Sequence, residues 1–147
     1  MSNAGIATEL SETLHASSVA IGGRAVLIVG KSGEGKSDLA LRLIDRGATL
    51  IADDRTICRR ETGALLACAP PTIAGKIEVR GIGILDMPHA DRVPVALVIA
   101  ILDEPPRLPD EQRYRCVAGI DVPVLALAAL EPSAPIKVEL ALRQLPA

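Results

Sequence analysis

Residues 30–37 read Gly30-Lys31-Ser32-Gly33-Glu34-Gly35-Lys36-Ser37 and fit G-x-x-x-x-G-K-[ST] at every position. Glycines let successive backbone N–H groups turn inward and face an anion. Lys36 adds a point charge for the β- and γ-oxygens of a polyphosphate, and Ser37 a hydroxyl for Mg²⁺. Two aspartates, Asp53 and Asp54, follow the apolar run TLIA. At a strand end beside a phosphate loop, one carboxylate can orient a cation while a second accepts a proton from an attacking hydroxyl. A solvated turn is the plain alternative. Glu78 and Arg80 stand two apart in KIEVRGIGILDM, so an extended chain puts them on one face. There the carboxylate suits a metal and the guanidinium transferred charge. Gly81 and Gly83 allow that segment to bend closely around a ligand or partner. A surface ion pair beside a bulge is the competing reading. His15 is one of two histidines; a lone histidine is usually structural or exposed. His89 reads as a loop residue.

These groups need positioning elements, and the flanking residues supply them. RAVLIVG (24–30) reads as a strand buried on both faces, with SVAIGG (18–23) as an antiparallel partner turning at Gly22-Gly23. KSDLALRLIDRG (36–47) has the i, i+4 pairs Leu39/Leu43 and Ala40/Ile44, Asp38 in its first turn and Gly47 at the stop, which predicts a helix. ATLIADD (48–54) is the next strand, and 54–70 a hairpin around Thr62-Gly63. Residues 70–87 read as loop, then strand or turn, and 93–102 as a strand. Residues 103–116 carry three prolines and seven charges and read as a mobile surface loop. A strand over 121–130 and a helix over 133–145, with Pro135 near its start, close the chain. Strands outnumber helices and no regular βαβ repeat is present, so a doubly wound architecture fits poorly.

The 147 residues predict one domain, 1–147. The core is aliphatic: 49% of residues are apolar, with no Trp, no Phe and one Tyr, Tyr114. That leaves little surface for stacking on bases, and a net charge of −2 argues against a phosphate-backbone footprint, so nucleic acid is not an expected partner. Cys58, Cys68 and Cys116 show no CxxC spacing and read as reduced thiols of a cytoplasmic protein. No apolar stretch reaches the ~18 residues of a membrane span, and the start, MSNAG, lacks the features of a signal peptide. A small anionic ligand or another protein is the expected partner.

A phosphate cradle does not choose a reaction. A small-molecule kinase or NTPase, or a nucleotide-sensing module working through 103–116, could share it. The order and spacing of His15, GKSGEGKSD, LIADD and IEVRGIGILDM, however, resemble the catalytic domain of HPr kinase/phosphorylase, and IDVPVLAL resembles a further segment of that family. The resemblance implies an α/β fold, a mixed curved sheet with a P-loop, related to the nucleotide domain of phosphoenolpyruvate carboxykinase. It implies ATP and Mg²⁺ as cofactors and transfer of the γ-phosphate to a serine of the phosphocarrier protein HPr. It also implies phosphorolysis of phosphoseryl-HPr, in which inorganic phosphate yields pyrophosphate. On matching positions, Asp53 is the expected proton acceptor, Lys36 the β/γ contact, Ser37 and Glu78 the metal ligands with Asp54 in support, and His15 part of the catalytic group. Arg80 falls in the signature segment. A further family arginine is best matched by Arg107, with Arg113 and Arg115 as rivals. The chain is similar to compact alphaproteobacterial forms without the N-terminal domain of longer members, and a homo-oligomer is expected.

Overall fold

The computed structural model describes residues 10–109 and 111–146; the MSNAG start lies outside them. The strands are β1 (Ser11–Leu14), β2 (Ala16–Ile21), β3 (Arg24–Val29), β4 (Thr49–Ala52), β5 (Thr56–Glu61), β6 (Ala64–Cys68), β7 (Lys76–Val79), β8 (Gly83–Asp86), β9 (Val93–Ile101), β10 (Arg113–Val117) and β11 (Ile120–Leu127). Two helices, α1 (Lys36–Asp45) and α2 (Ala134–Arg143), and a 3₁₀ turn at Pro71–Ile73 complete the described elements.

Nine strands form one sheet in the order β1-β5-β6-β9-β3-β2-β4, with β11 added to β9 and β10 to β11. β9 explains its curl. On one edge β9 runs parallel to β3. Along the other, Val93 and Pro94 pair antiparallel with β6, whereas Val98–Ile101 pair parallel with β11. Two neighbours thus share one edge, and the sheet forks. β7 and β8 pair only with each other, as a separate hairpin.

The period-2 alternation of β3 feeds two cores. Val26 and Ile28 pack with Leu97 and Ile99 against Leu39, Ala40 and Leu43 of α1 and Ala134, Val138 and Leu142 of α2. Ala25 and Leu27 face the other way, into a cluster supplied by strands, including Ile51, Cys58, Leu65, Val98, Val117 and Val122. Among the described residues, the forked sheet folds onto itself to cover that face. All four β3 residues have no exposed surface, as expected of a strand buried on both faces.

α1 stops as its sequence predicts. Gly47 has φ +110°, its N–H bonds to the Ile44 carbonyl and that of Ala48 to Leu43, a Schellman closure. Arg46 then clamps α1 to α2 through a two-pronged pair with Glu139 at 2.8 and 3.0 Å, which holds the Glu139 carboxyl below its ordinary range. The Thr62-Gly63 turn joins β5 and β6 as expected. Residues 103–116 differ from expectation. Their last part is β10, paired with β11 over Arg113–Val117. Residues 113–116 are exposed and only Val117 is buried, so this edge strand carries no apolar alternation and its sequence looks like loop. Among the described residues, no helix is long and apolar enough to cross a membrane.

Cys58 and Cys68 are buried and Cys116 is exposed on β10; all three are free thiols. Burial pushes the Cys58 thiol up to about 12 and raises that of Cys68. Thiolate is the reactive form. Titration of native protein with an aromatic disulfide at pH 8 is therefore expected to label one thiol rapidly. Cys116→Ser should remove that phase, and denaturant should release the other two.

Candidate active site

β3 delivers the chain into the glycine-rich loop, and α1 receives it. Gly35 is the residue before the helix, in left-handed conformation at φ +100°, and the Leu39 N–H donates to its carbonyl at 2.9 Å. A Cβ at Gly35 would lie 3.3 Å from Leu130 Cδ2 and 3.5 Å from Ala129 Cβ. The loop therefore rests on the segment that follows β11. Arg42 ties that segment to α1: its guanidinium donates to the carbonyls of Ala129 and Glu131 and to Asp38. Lys36 is only 5% exposed. Its Nζ donates to the Gly30 carbonyl at 3.0 Å and lies 3.6 Å from Asp54 Oδ1. The Glu34 carboxylate accepts the Lys31 N–H and braces the loop from its other side.

β4 carries the two aspartates to the loop. Asp53 is largely buried, and three donors meet on its carboxylate. Ser17 Oγ donates to Oδ1 at 3.0 Å, Ser37 Oγ to the same oxygen at 2.5 Å, and the Glu78 N–H to Oδ2 at 2.9 Å. The last bond fastens the β7–β8 hairpin to the site. Asp54 differs. Its side chain is 50% exposed, and its Oδ1 lies between Lys36 Nζ and His15 Nδ1, the latter at 3.9 Å.

A cavity of about 590 Å³ is lined by Ser32, Gly33, Gly35, Lys36, Ser37, Asp53, Asp54, Glu78 and Arg80, among others. Arg80 sits just past the end of β7, in the turn to β8, so it and Glu78 are not strand neighbours on one face but still line the same space. Gly81 and Gly83 have φ +89° and +128°, and a Cβ on either meets nothing within 4 Å. They shape the hairpin turn rather than admit a close approach. Asp53, Asp54 and Glu78 outnumber Lys36 and Arg80 around the cavity. A bare polyphosphate would meet this excess of negative charge, and a divalent cation offsets it. Among the described residues no three His, Cys, Asp or Glu side chains form a ready-made metal cage. Mg²⁺ does not need one, since it is commonly held by one or two carboxylates plus substrate phosphates. Ser37 Oγ, with its proton on Asp53, keeps lone pairs for a metal, and the oxygen donors fit that hard ion.

A second cavity of about 490 Å³ lies against the other side of the loop and is lined by His15, Gly30, Lys31, Glu34, Asp103 and Arg115. Arg107 lines neither cavity. Of the three candidate arginines, only Arg115 on β10 reaches either. A loop assignment for 103–116 hid this, because pairing to β11 is what carries Arg115 to His15's side. Ser17 is the residue that sequence reasoning missed. Its only signal was the Ser17-Ser18 pair at the start of a strand whose other residues are apolar.

A glycine-rich loop at the end of a mixed, curled sheet, faced by two aspartates, defines a mixed α/β domain with an open cavity where the loop leaves the sheet. The chain belongs to the HPr serine kinase C-terminal domain family, whose model matches residues 7–92. It is 36% identical over 132 residues to the HPr kinase/phosphorylase of Chlorobaculum tepidum, an alignment covering 80% of this chain and 39% of that protein. It is 53% identical over 76 residues to the HPr kinase/phosphorylase of Alkaliphilus metalliredigens, covering 51% of this chain and 25% of the relative. The chain thus spans well under half the length of these relatives. Among solved structures it is similar to the Hpr(Ser) kinase/phosphatase from Coxiella burnetii, with a TM-score of 0.78 and 31% identity over 90% of this chain and 89% of that one. The expected mixed, curved α/β fold agrees with this match.

Gly35→Ala tests the cradle. The substitution adds a Cβ at φ +100° against Leu130. It is expected to cost about 1–3 kcal/mol of stability, measured by urea denaturation, and to weaken ATP binding measured calorimetrically.

Proposed function

We propose that this chain, 1–147, is one catalytic domain that transfers the γ-phosphoryl group of ATP to a serine of HPr and catalyses the phosphorolysis of phosphoseryl-HPr. The convergence of Lys36, Ser37, Asp53, Asp54, Glu78 and Arg80 on one cavity carries this reading. Family membership supports the choice of acceptor.

The loop amides and Lys36 would hold the β- and γ-phosphates, with α1 presenting its positive end. Ser37 and Glu78 would ligate Mg²⁺, with Asp53 orienting the Ser37 hydroxyl. When bound, the ion supplies charge neutralisation on the phosphate oxygens. We assign the base to Asp54 and the metal-supporting role to Asp53, the reverse of the order expected from the family motif. A proton acceptor needs an open oxygen facing the reactants. Asp53 has both oxygens engaged by three donors, whereas Asp54 is half exposed beside Lys36 and His15. In transfer, the HPr serine oxygen attacks the γ-phosphorus, its proton passes to Asp54, and the bond to the β-phosphate oxygen breaks to leave ADP. In phosphorolysis, inorganic phosphate attacks the phosphoserine phosphorus, pyrophosphate forms, and Asp54 returns a proton to the serine oxygen. Arg80, at one side of the cavity, and Arg115, beside His15 in place of Arg107, would stabilise charge on the moving group.

Exposed Ile82 (72%) and Ile84 (70%) on the hairpin beside the site offer apolar surface to a docked HPr or to a second copy in a homo-oligomer. An ATP-dependent enzyme acting on a phosphocarrier protein would work in the cytoplasm.

Incubation with ATP, Mg²⁺ and HPr is expected to give phosphoserine. Asp54→Asn should lower kcat by about 10²–10⁴-fold, with nucleotide affinity nearly unchanged. Asp53→Asn should instead raise the Mg²⁺ concentration needed for half-maximal rate. ATP consumption without a protein acceptor would point to a small-molecule kinase, and tight ATP binding with no turnover to a sensing module.

A further inference from the structure

Ser17 lies on β2 with no exposed surface and bridges the two aspartates. Its hydroxyl donates to Asp53 Oδ1, and its oxygen accepts the Asp54 backbone N–H at 3.0 Å. The backbone ladder between β2 and β4 ends at Ser18↔Ala52, so this side chain continues the connection past the last strand residue. What it continues into is unusual. Asp54 has φ +68°, and the Asp53 carbonyl accepts the Arg55 N–H at 2.8 Å. An i→i+2 bond around a residue of positive φ is a γ-turn of the rare, strained kind. Such a conformation persists only where its surroundings over-determine it. Here both flanks are pinned to β2. Ser17 holds the turn's central N–H, and beyond the turn Thr56 Oγ1 donates to the Ala16 carbonyl at 2.9 Å and lies 2.8 Å from Ser18 Oγ. The turn throws the Asp54 carboxylate back over the loop, towards Lys36 and His15.

We infer that Ser17 is a positioning residue for phosphoryl transfer: its buried hydroxyl holds the strained turn at Asp54 and so aims that carboxylate at the reacting centre. The inference rests on Asp54 as the base. Ser17 is fully buried and lines neither cavity, so it acts through the turn. A hydroxyl that merely satisfied the core would affect stability alone.

Ser17→Ala separates the two roles. It is expected to lower kcat for HPr phosphorylation by about 10–100-fold, the scale of a small misplacement at a reacting centre, while KM for ATP stays within about twofold. Ser17→Thr, which keeps the hydroxyl, should recover most of the rate. In an Asp54→Asn background, Ser17→Ala should add almost nothing, because both act through one group. Hydrogen exchange supplies a readout independent of turnover: the Asp54 amide should be protected in the parent and lose protection in Ser17→Ala, while the Leu27 amide of β3 keeps its own. If the rate effects of Ser17→Ala and Asp54→Asn multiply, or if the Asp54 amide stays protected without the hydroxyl, the inference is overturned. Should the parent transfer nothing to HPr, the kinase reading fails, and the exchange experiment alone still decides whether Ser17 holds the turn.

Discussion

A buried carboxylate must be compensated, and the Asp53 carboxylate is compensated by three separate parts of the chain. β2 sends Ser17, the first turn of α1 sends Ser37, and the β7–β8 hairpin sends the Glu78 N–H. Hydrogen bonds to an ionised acceptor are shorter and stronger than neutral ones, and leaving such a group unpaired in the interior is costly. The phosphate loop, the second aspartate and the signature hairpin are therefore held in register with one another by a single side chain. The hairpin depends on this most, since β7 and β8 form no ladder with the main sheet.

The sheet supplies what that carboxylate cannot. Parallel β3, β9 and β11 end on one side, and the loop leaves β3 there, in the place where open α/β sheets collect ligands. The fork at β9 lets the sheet cover its own second face with strand residues. α1 serves both purposes, with Leu39, Ala40 and Leu43 in the core and Lys36 and Ser37 in the site. Because it is clamped to α2 by Arg46 and Glu139 and to residues 129–131 by Arg42, the cradle's far wall moves only if the core moves.

The two cavities meet across the loop, through His15 and Asp54. His15 lines one, Asp54 the other, and their side chains lie 3.9 Å apart. Lys36 reaches the same carboxylate while bonding the loop's own Gly30 carbonyl. Through this one lysine the loop and the second aspartate are joined directly.

Much of this was legible in the residues themselves. The glycine-rich loop between β3 and α1, the α1 helix with its Gly47 stop, the hairpin turn at Thr62-Gly63 and the strand leading into Asp53-Asp54 all follow from local rules: glycine conformation, 3.6-residue periodicity and the apolar runs of buried strands. Other features depend on distant partners and have no local signature. β10 is exposed nearly throughout and becomes a strand only because β11 lies beside it. That pairing, and not the loop before it, carries Arg115 to the cavity lined by His15. The different surroundings of two adjacent aspartates are equally invisible in the string DD, since which one is caged and which one is open depends on Ser17, thirty-six residues from Asp53, and on a hairpin amide. Sequence alone determined which chemical groups are present and which short elements hold them, because those choices are made within a few residues. Only the tertiary structure decided which groups face one another, because hydrogen bonding and burial are satisfied by neighbours in space, whatever their distance along the chain.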